Sequence, residues 1–130
     1  VDILSRPESM NSNEAPTAVG PYSHAVKVEN FIFLSGQIGA DPKTNLLVEA
    51  DIEKQTQKAL DNLEAVLKSC GSEMSNVVKT TVFLTDINNF GKMNEVYSKK
   101  FGSAKPARST VEVSKLPKGA LVEIDAVAVL

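Results

Sequence analysis

The run Leu121-Val122-Glu123-Ile124-Asp125-Ala126-Val127-Ala128-Val129 alternates from end to end. Val122, Ile124, Ala126 and Ala128 form one wholly apolar face, while Leu121, Glu123, Asp125, Val127 and Val129 mix charge with branched aliphatics on the other. Successive side chains of a strand point to opposite faces, so this period of two predicts a strand in a sheet whose faces have different neighbours. The same split recurs upstream. Phe31, Phe33, Ser35 and Gln37 alternate with Ile32, Leu34, Gly36 and Ile38, and Ala107, Ser109, Val111 and Val113 alternate with Arg108, Thr110 and Glu112.

Around these strands the pattern changes to a helical period twice. From Asp51 to Cys70, the residues Ile52, Ala59, Leu60, Leu63, Val66, Leu67 and Cys70 recur on one face, with Asp51 as N-cap and Gly71 as the stop. From about Asn89 to Phe101, the stripe is Phe90, Met93, Val96, Tyr97 and Phe101, ended by Gly102. Further strands are predicted at Tyr22 to Val28, joined to Phe31–Ile38 by the two-residue turn Glu29-Asn30, and at Val77 to Leu84. Gly39 to Ala50 reads as a turn-rich connection and Leu116 to Gly119 as a turn. The order β-β-α-β-α-β-β implies one mixed sheet, an α+β arrangement with each helix crossing between strands. Residues 1–21, polar and broken by Pro7, Pro16 and Pro21, read as an extended, poorly packed lead-in.

A chain of 130 residues suits one domain. Its net charge of −2, from 14 basic and 16 acidic residues, supplies neither the basic footprint of a nucleic-acid binder nor a polybasic membrane patch. No apolar run approaches the roughly 20 residues of a membrane span. One cysteine, Cys70, forbids an internal disulfide and suits a reducing compartment. One histidine, His24, argues against a histidine-rich metal centre. The cytoplasm is expected, or the mitochondrial matrix if the segment before Gly20 is the remnant of a processed transit peptide.

Two helices cover one face of such a sheet, so the other face is informative. Phe31, Phe33, Val127 and Val129 are too apolar for water alone, while Arg108 and Glu123 are too polar for a dry interior. A subunit interface with a site at its edge accommodates both. Arg108 and Glu123 on that face have two readings. One is a structural ion pair at an interface, Arg108 with Glu112 or Glu123. In the other, the planar arginine fork grips a substrate carboxylate and the glutamate positions or deprotonates a water.

Gly20-Pro21-Tyr22-Ser23, Leu34-Ser35-Gly36-Gln37-Ile38, Val78-Lys79-Thr80-Thr81-Val82-Phe83-Leu84, Pro106-Ala107-Arg108-Ser109, Val111-Glu112-Val113, Leu116-Pro117 and Glu123-Ile124 together resemble the RidA/YjgF proteins, the reactive-intermediate deaminases. The resemblance runs from about Ala15 to the C-terminus and implies a single RidA-like domain over 15–130, preceded by an extended segment over 1–14. It also implies a chorismate-mutase-like α+β subunit with both helices on one face of the sheet. Such subunits form a homotrimer around a central β-barrel, with clefts between subunits. Its implied activity is hydrolysis of 2-imino acids such as 2-iminobutanoate and 2-iminopropanoate to 2-keto acids and ammonia, without metal or organic cofactor. By the same resemblance, Arg108 binds the substrate carboxylate with help from the backbone at Thr110, and Glu123 positions the attacking water. Tyr22 closes the cleft, and Ser35, Gly36 and Asn94 line it.

One position departs from the pattern: many members carry cysteine where this chain has Thr110, so a covalent thiol mechanism is unavailable here. His24 and Cys70 are expected to be structural, and Lys79 and Lys115 to be solvated or interface charges. Three other functions compete with deamination: a small-carboxylate-binding regulatory trimer without turnover, an endoribonuclease or translation inhibitor, and a chaperone-like scaffold. The acidic charge balance opposes the second.

Overall fold

A computed structural model describes residues 5–130. Residues 1–4, part of the expected N-terminal segment, lie outside the described residues. Among the described residues, six strands form one sheet: β1 (Glu8–Met10), β2 (Ala25–Val28), β3 (Phe31–Ile38), β4 (Val77–Leu84), β5 (Ala107–Glu112) and β6 (Val122–Val129). Two helices, α1 (Ile52–Ser69) and α2 (Phe90–Phe101), follow β3 and β4. The strand order is β1-β2-β3-β6-β4-β5, with β4 and β5 parallel and the other pairs antiparallel. This is the α+β class expected.

The core lies between α1, α2 and the apolar face of the sheet. Val122, Ile124, Ala126 and Ala128 are buried there as their alternation predicts, together with Ile32, Leu34, Val82 and Leu84. The Asp51 carboxylate caps α1 by accepting from the Lys54 N–H at 2.8 Å. The helix ends with Gly71 at φ +80, the Gly71 N–H bonded to the Lys68 carbonyl and the Ser72 N–H to the Leu67 carbonyl. That paired pattern satisfies carbonyls that the helix end would otherwise orphan. Cys70, at the end of the stripe, is buried as expected.

Three expectations are corrected. The lead-in is packed rather than loose. β1 adds to the sheet edge, Ser12 and Ala15 are buried, and buried His24 ties the segment down. The Ser12 N–H donates to His24 Nδ1 at 3.0 Å, and Nε2 lies 2.7 Å from the Pro16 carbonyl oxygen, so the imidazole Nε2–H donates there.

The second correction concerns β3. Leu34 pairs with Ala126 and Gln37 with Ile124, so Ser35 and Gly36 together oppose Asp125 alone. This bulge reverses the alternation beyond it. Gln37 turns inward and is buried, and Ile38 instead pairs with Glu123.

The third is the most consequential. Arg108 does not share a face with Glu123. In the parallel ladder Arg108 pairs with Thr80 and Thr110 with Val82, and both partners are fully buried beneath the helices. Arg108 and Thr110 therefore point to the helix side, whereas Ala107, Ser109 and Val111 lie on the open side with Lys79, Thr81 and Phe83. Polar residues are tolerated on the helix side of β5 because it is the edge strand, met by the flank of α2 rather than by the centre of the core.

Candidate active site

On the helix side, Arg108 lines a cavity of about 420 Å³ with Asn94, Tyr97, Phe101, Lys105 and Pro106 among its walls. Its guanidinium lies over the rings of Tyr97 and Phe90. Among the described residues it makes no hydrogen bond or ion pair, so the whole donor fork is unspent. Within the described chain, Arg108 therefore has no ion-pair partner. Two buried oxygens on this side, Asn94 Oδ1 and Thr110 Oγ1, also lack partners. A cavity wall that presents an unspent guanidinium suits a small ligand bearing a carboxylate.

On the open side, Glu123 lines a second cavity of about 290 Å³ with Tyr22, His24, Gly36, Ile38 and Lys118 among its walls. Gly36 is there because of Glu123. A Cβ built at Gly36 would stand 2.7 Å from Glu123 Oε2 and 2.9 Å from Cγ, so the bulge makes room for the carboxylate. Burial pushes the Glu123 carboxyl above its ordinary pKa, and the Asp125 carboxylate, two residues along the same face, pushes it further. A carboxyl poised in this way exchanges a proton with water more readily near neutral pH than an ordinary glutamate does.

The predicted site residues thus divide into two groups. Arg108 and Asn94 share the first cavity, and Thr110 is two residues along the same face of β5. Tyr22, Gly36 and Glu123 share the second. Ser35 adjoins Gly36, but its hydroxyl donates to the Ser23 carbonyl at 2.7 Å and its N–H to the His24 carbonyl at 3.0 Å, so it holds β3 against the Tyr22 loop. The first cavity holds Arg108 and Lys105 but no carboxyl, whereas the second holds Glu123 with Lys118, whose ammonium donates to the Asn45 carbonyl. Among the described residues no cluster of His, Cys, Asp and Glu has the makings of a metal site, and no helix is long and apolar enough to cross a membrane.

The family model described as "Endoribonuclease L-PSP" matches residues 12–130, nearly the whole described chain. The chain belongs to the RidA/YjgF family. It is 51% identical over 121 residues to a RutC family protein of Pyrococcus abyssi, covering 93% of this chain and 95% of that one. It is 47% identical over 120 residues to a human protein named 2-iminobutanoate/2-iminopropanoate deaminase, covering 92% of this chain and 88% of that one. Among solved structures, the Rid-family protein YyfA of Yersinia pestis, described as of unknown function, superposes with a TM-score of 0.94 at 48% identity. That match covers 96% of this chain and all of the other.

Several residues of this RidA/YjgF chain that sequence reasoning did not assign to a site stand beside its key groups. Phe90 and Tyr97 read as core positions of the α2 stripe, yet both touch Arg108. Tyr97 carried a signal, since a hydroxyl on a buried stripe needs a partner that a phenylalanine would not. His24 and Lys118 line the Glu123 cavity, and Lys118 Nζ reaches across to the Asn45 carbonyl at 2.7 Å. No local pattern marks that pairing, because the two residues are 73 positions apart.

Proposed function

We propose that this protein hydrolyses 2-imino acids, such as 2-iminobutanoate and 2-iminopropanoate, to 2-keto acids and ammonia, in clefts that two copies of the chain build together. The observation that carries this reading is the placement of Arg108 and Glu123 on opposite faces of the sheet, in separate cavities, with no carboxyl in that of Arg108. A copy docked on the open face would bring one chain's Arg108 to the next chain's Glu123. Apolar cover is what that face requires: Phe31, Phe33 and Val111 are 45%, 46% and 41% exposed there. A closed ring of three, with the open faces turned inward, satisfies all copies equally. The human relative's name supports the reaction, and the free Arg108 fork supports the substrate carboxylate.

In the cleft, the Arg108 guanidinium holds the carboxylate through paired N–H···O bonds, placing the adjacent C=N carbon at a fixed distance. Glu123, as carboxylate, accepts a proton from water while the water oxygen bonds to that carbon, and passes this proton to the imine nitrogen as the C=N bond becomes single. The resulting carbinolamine collapses as Glu123 takes its hydroxyl proton and delivers it to the amino group, the C–N bond breaks, ammonia departs and the keto acid remains with Glu123 again ionised. Imines hydrolyse in water unaided, so positioning with one proton acceptor suffices. Tyr22, half exposed beside the Glu123 cavity, is placed to cover the bound substrate.

The test generates 2-iminobutanoate in place with an amino-acid oxidase and follows its survival by semicarbazide trapping. Wild type should suppress trapping, while Arg108→Ala and Glu123→Gln should each fail to do so. Unfolding the two variants together and refolding them should restore activity to about one cleft in four, since random pairing unites an intact Arg108 with an intact Glu123 that often. No suppression by wild type across several imino acids would sink the deaminase reading. Inactive variants that never complement would sink the two-copy site.

A further inference from the structure

Arg108 is held by rings rather than by acids. Its guanidinium carbon lies 4.7 Å from the centre of the Tyr97 ring and 5.4 Å from that of Phe90. Phe90 and Tyr97 are seven residues apart on α2, two turns along one side of the helix. Tyr97 is itself fixed. It is buried, its ring packs on Phe101 at 4.6 Å, and its hydroxyl shares a 2.7 Å hydrogen bond with Thr80 Oγ1. Thr80 is fully buried on β4 and is the residue paired in register with Arg108. The connections close on themselves: from Arg108 through the ladder to Thr80, through its hydroxyl to Tyr97, and through the ring back to the guanidinium.

This way of holding an arginine has a chemical consequence. A carboxylate partner would occupy the N–H donors and cancel the charge that a ligand needs. An aromatic face attracts the cation through its quadrupole from above or below the plane, leaving the in-plane donors free. We propose that Tyr97, anchored by Thr80 and supported by Phe90, is the positioning residue that orients Arg108 toward its ligand carboxylate. This rests on the reading that Arg108 binds that carboxylate.

The experiment measures KM and kcat for 2-iminobutanoate and, separately, the Kd for the product analogue 2-oxobutanoate by calorimetric titration. The proteins are wild type, Tyr97→Leu, Tyr97→Phe, Thr80→Val and Phe90→Leu, each checked for thermal midpoint and assembly. Tyr97→Leu should raise KM and Kd together by roughly three- to thirtyfold, with kcat changed less. Tyr97→Phe keeps the ring and loses only the anchor, so it should recover most of the affinity and resemble Thr80→Val. Should Tyr97→Leu not fold, Phe90→Leu, at a partly exposed position, should still weaken binding. Folded Tyr97→Leu, or Phe90→Leu in its place, with wild-type KM and Kd overturns the proposal while leaving deamination standing. Wild type that binds 2-oxobutanoate but turns over no imine removes deamination, and the titration still decides the role of Tyr97. Wild type that neither binds the keto acid nor turns over imine removes both.

Discussion

Replacing Gly36 with alanine would set a methyl group 2.7 Å from Glu123 Oε2, and the atoms in its way belong to the end of a side chain rather than to backbone. The fold can absorb that change by swinging the carboxylate aside, but the site cannot. Gly36→Ala should therefore melt within a few degrees of wild type while losing about tenfold or more in turnover, a separation that a thermal scan and the trapping assay expose together. The raised pKa of Glu123 makes a second prediction at this scale. Glu123 must be ionised to accept a proton, so kcat/KM should fall on the acid side through a value above the ordinary glutamate pKa of about 4.3. The linkage sign for stability is opposite. The folded state holds this proton more tightly than the unfolded chain, so the Glu123 contribution is most favourable at low pH and declines as pH rises through the window between the unfolded and folded pKa values. Glu123→Gln should accordingly raise the melting midpoint at neutral pH, by about 1–2 °C given the partial exposure, while abolishing activity.

Helix α1 does more than cover the sheet, because its buried face carries polar side chains that tie down the connection following β3. Asn62 Nδ2 donates to the carbonyls of Ile38 and Ala40 at 3.1 and 2.9 Å, and Gln55 Oε1 accepts from the Leu121 N–H at 2.9 Å. These bonds hold the two chain segments that bracket the Glu123 cavity. Asn62→Ala should destabilise the protein by about 1–3 kcal/mol, measured by urea unfolding, because two carbonyls lose their donor in a buried setting. Alternation and helical stripes made the elements themselves legible: both helices, the Glu29-Asn30 hairpin and the apolar face of β6 stand where their patterns place them. The polar members of the α1 stripe were invisible, since Gln55 and Asn62 interrupt the apolar period and their partners are distant in sequence. The side on which Arg108 lies was also unreadable. β5 alternates small and polar residues on both faces, and only its pairing with β4 says which of them meet the helices. Glu123 was legible in the alternation of the last strand, whereas the roles of Asn94, Gly36 and Ser35 rest on motif resemblance, and the Ser35 hydroxyl is engaged by the Ser23 carbonyl.

At the scale of the whole molecule, the proposed two-copy site makes the open face of the sheet the surface on which its halves would meet. Phe33, on that face and paired in register with Val127, stands close to Phe31, with ring centres 6.3 Å apart. Phe33→Glu places a charge where apolar cover is needed and leaves Arg108 and Glu123 untouched. The variant should sediment as a folded monomer, with native circular dichroism but turnover reduced by about a hundredfold or more. The arrangement of Arg108 and Glu123 on opposite faces also bears on inheritance. In a ring of three, every chain serves two neighbouring clefts, lending its arginine to one and its glutamate to the other. A chain deficient in both residues but able to assemble would silence two clefts of any trimer it enters, while the intact pair retains one. In a cell making equal amounts of such a chain and the normal one, only about one cleft in four would contain both groups, although half the chains are sound. A mutation of that kind would be partly dominant, whereas one that blocks assembly, such as Phe33→Glu, would withdraw its product from the pool and leave the normal chains to pair among themselves.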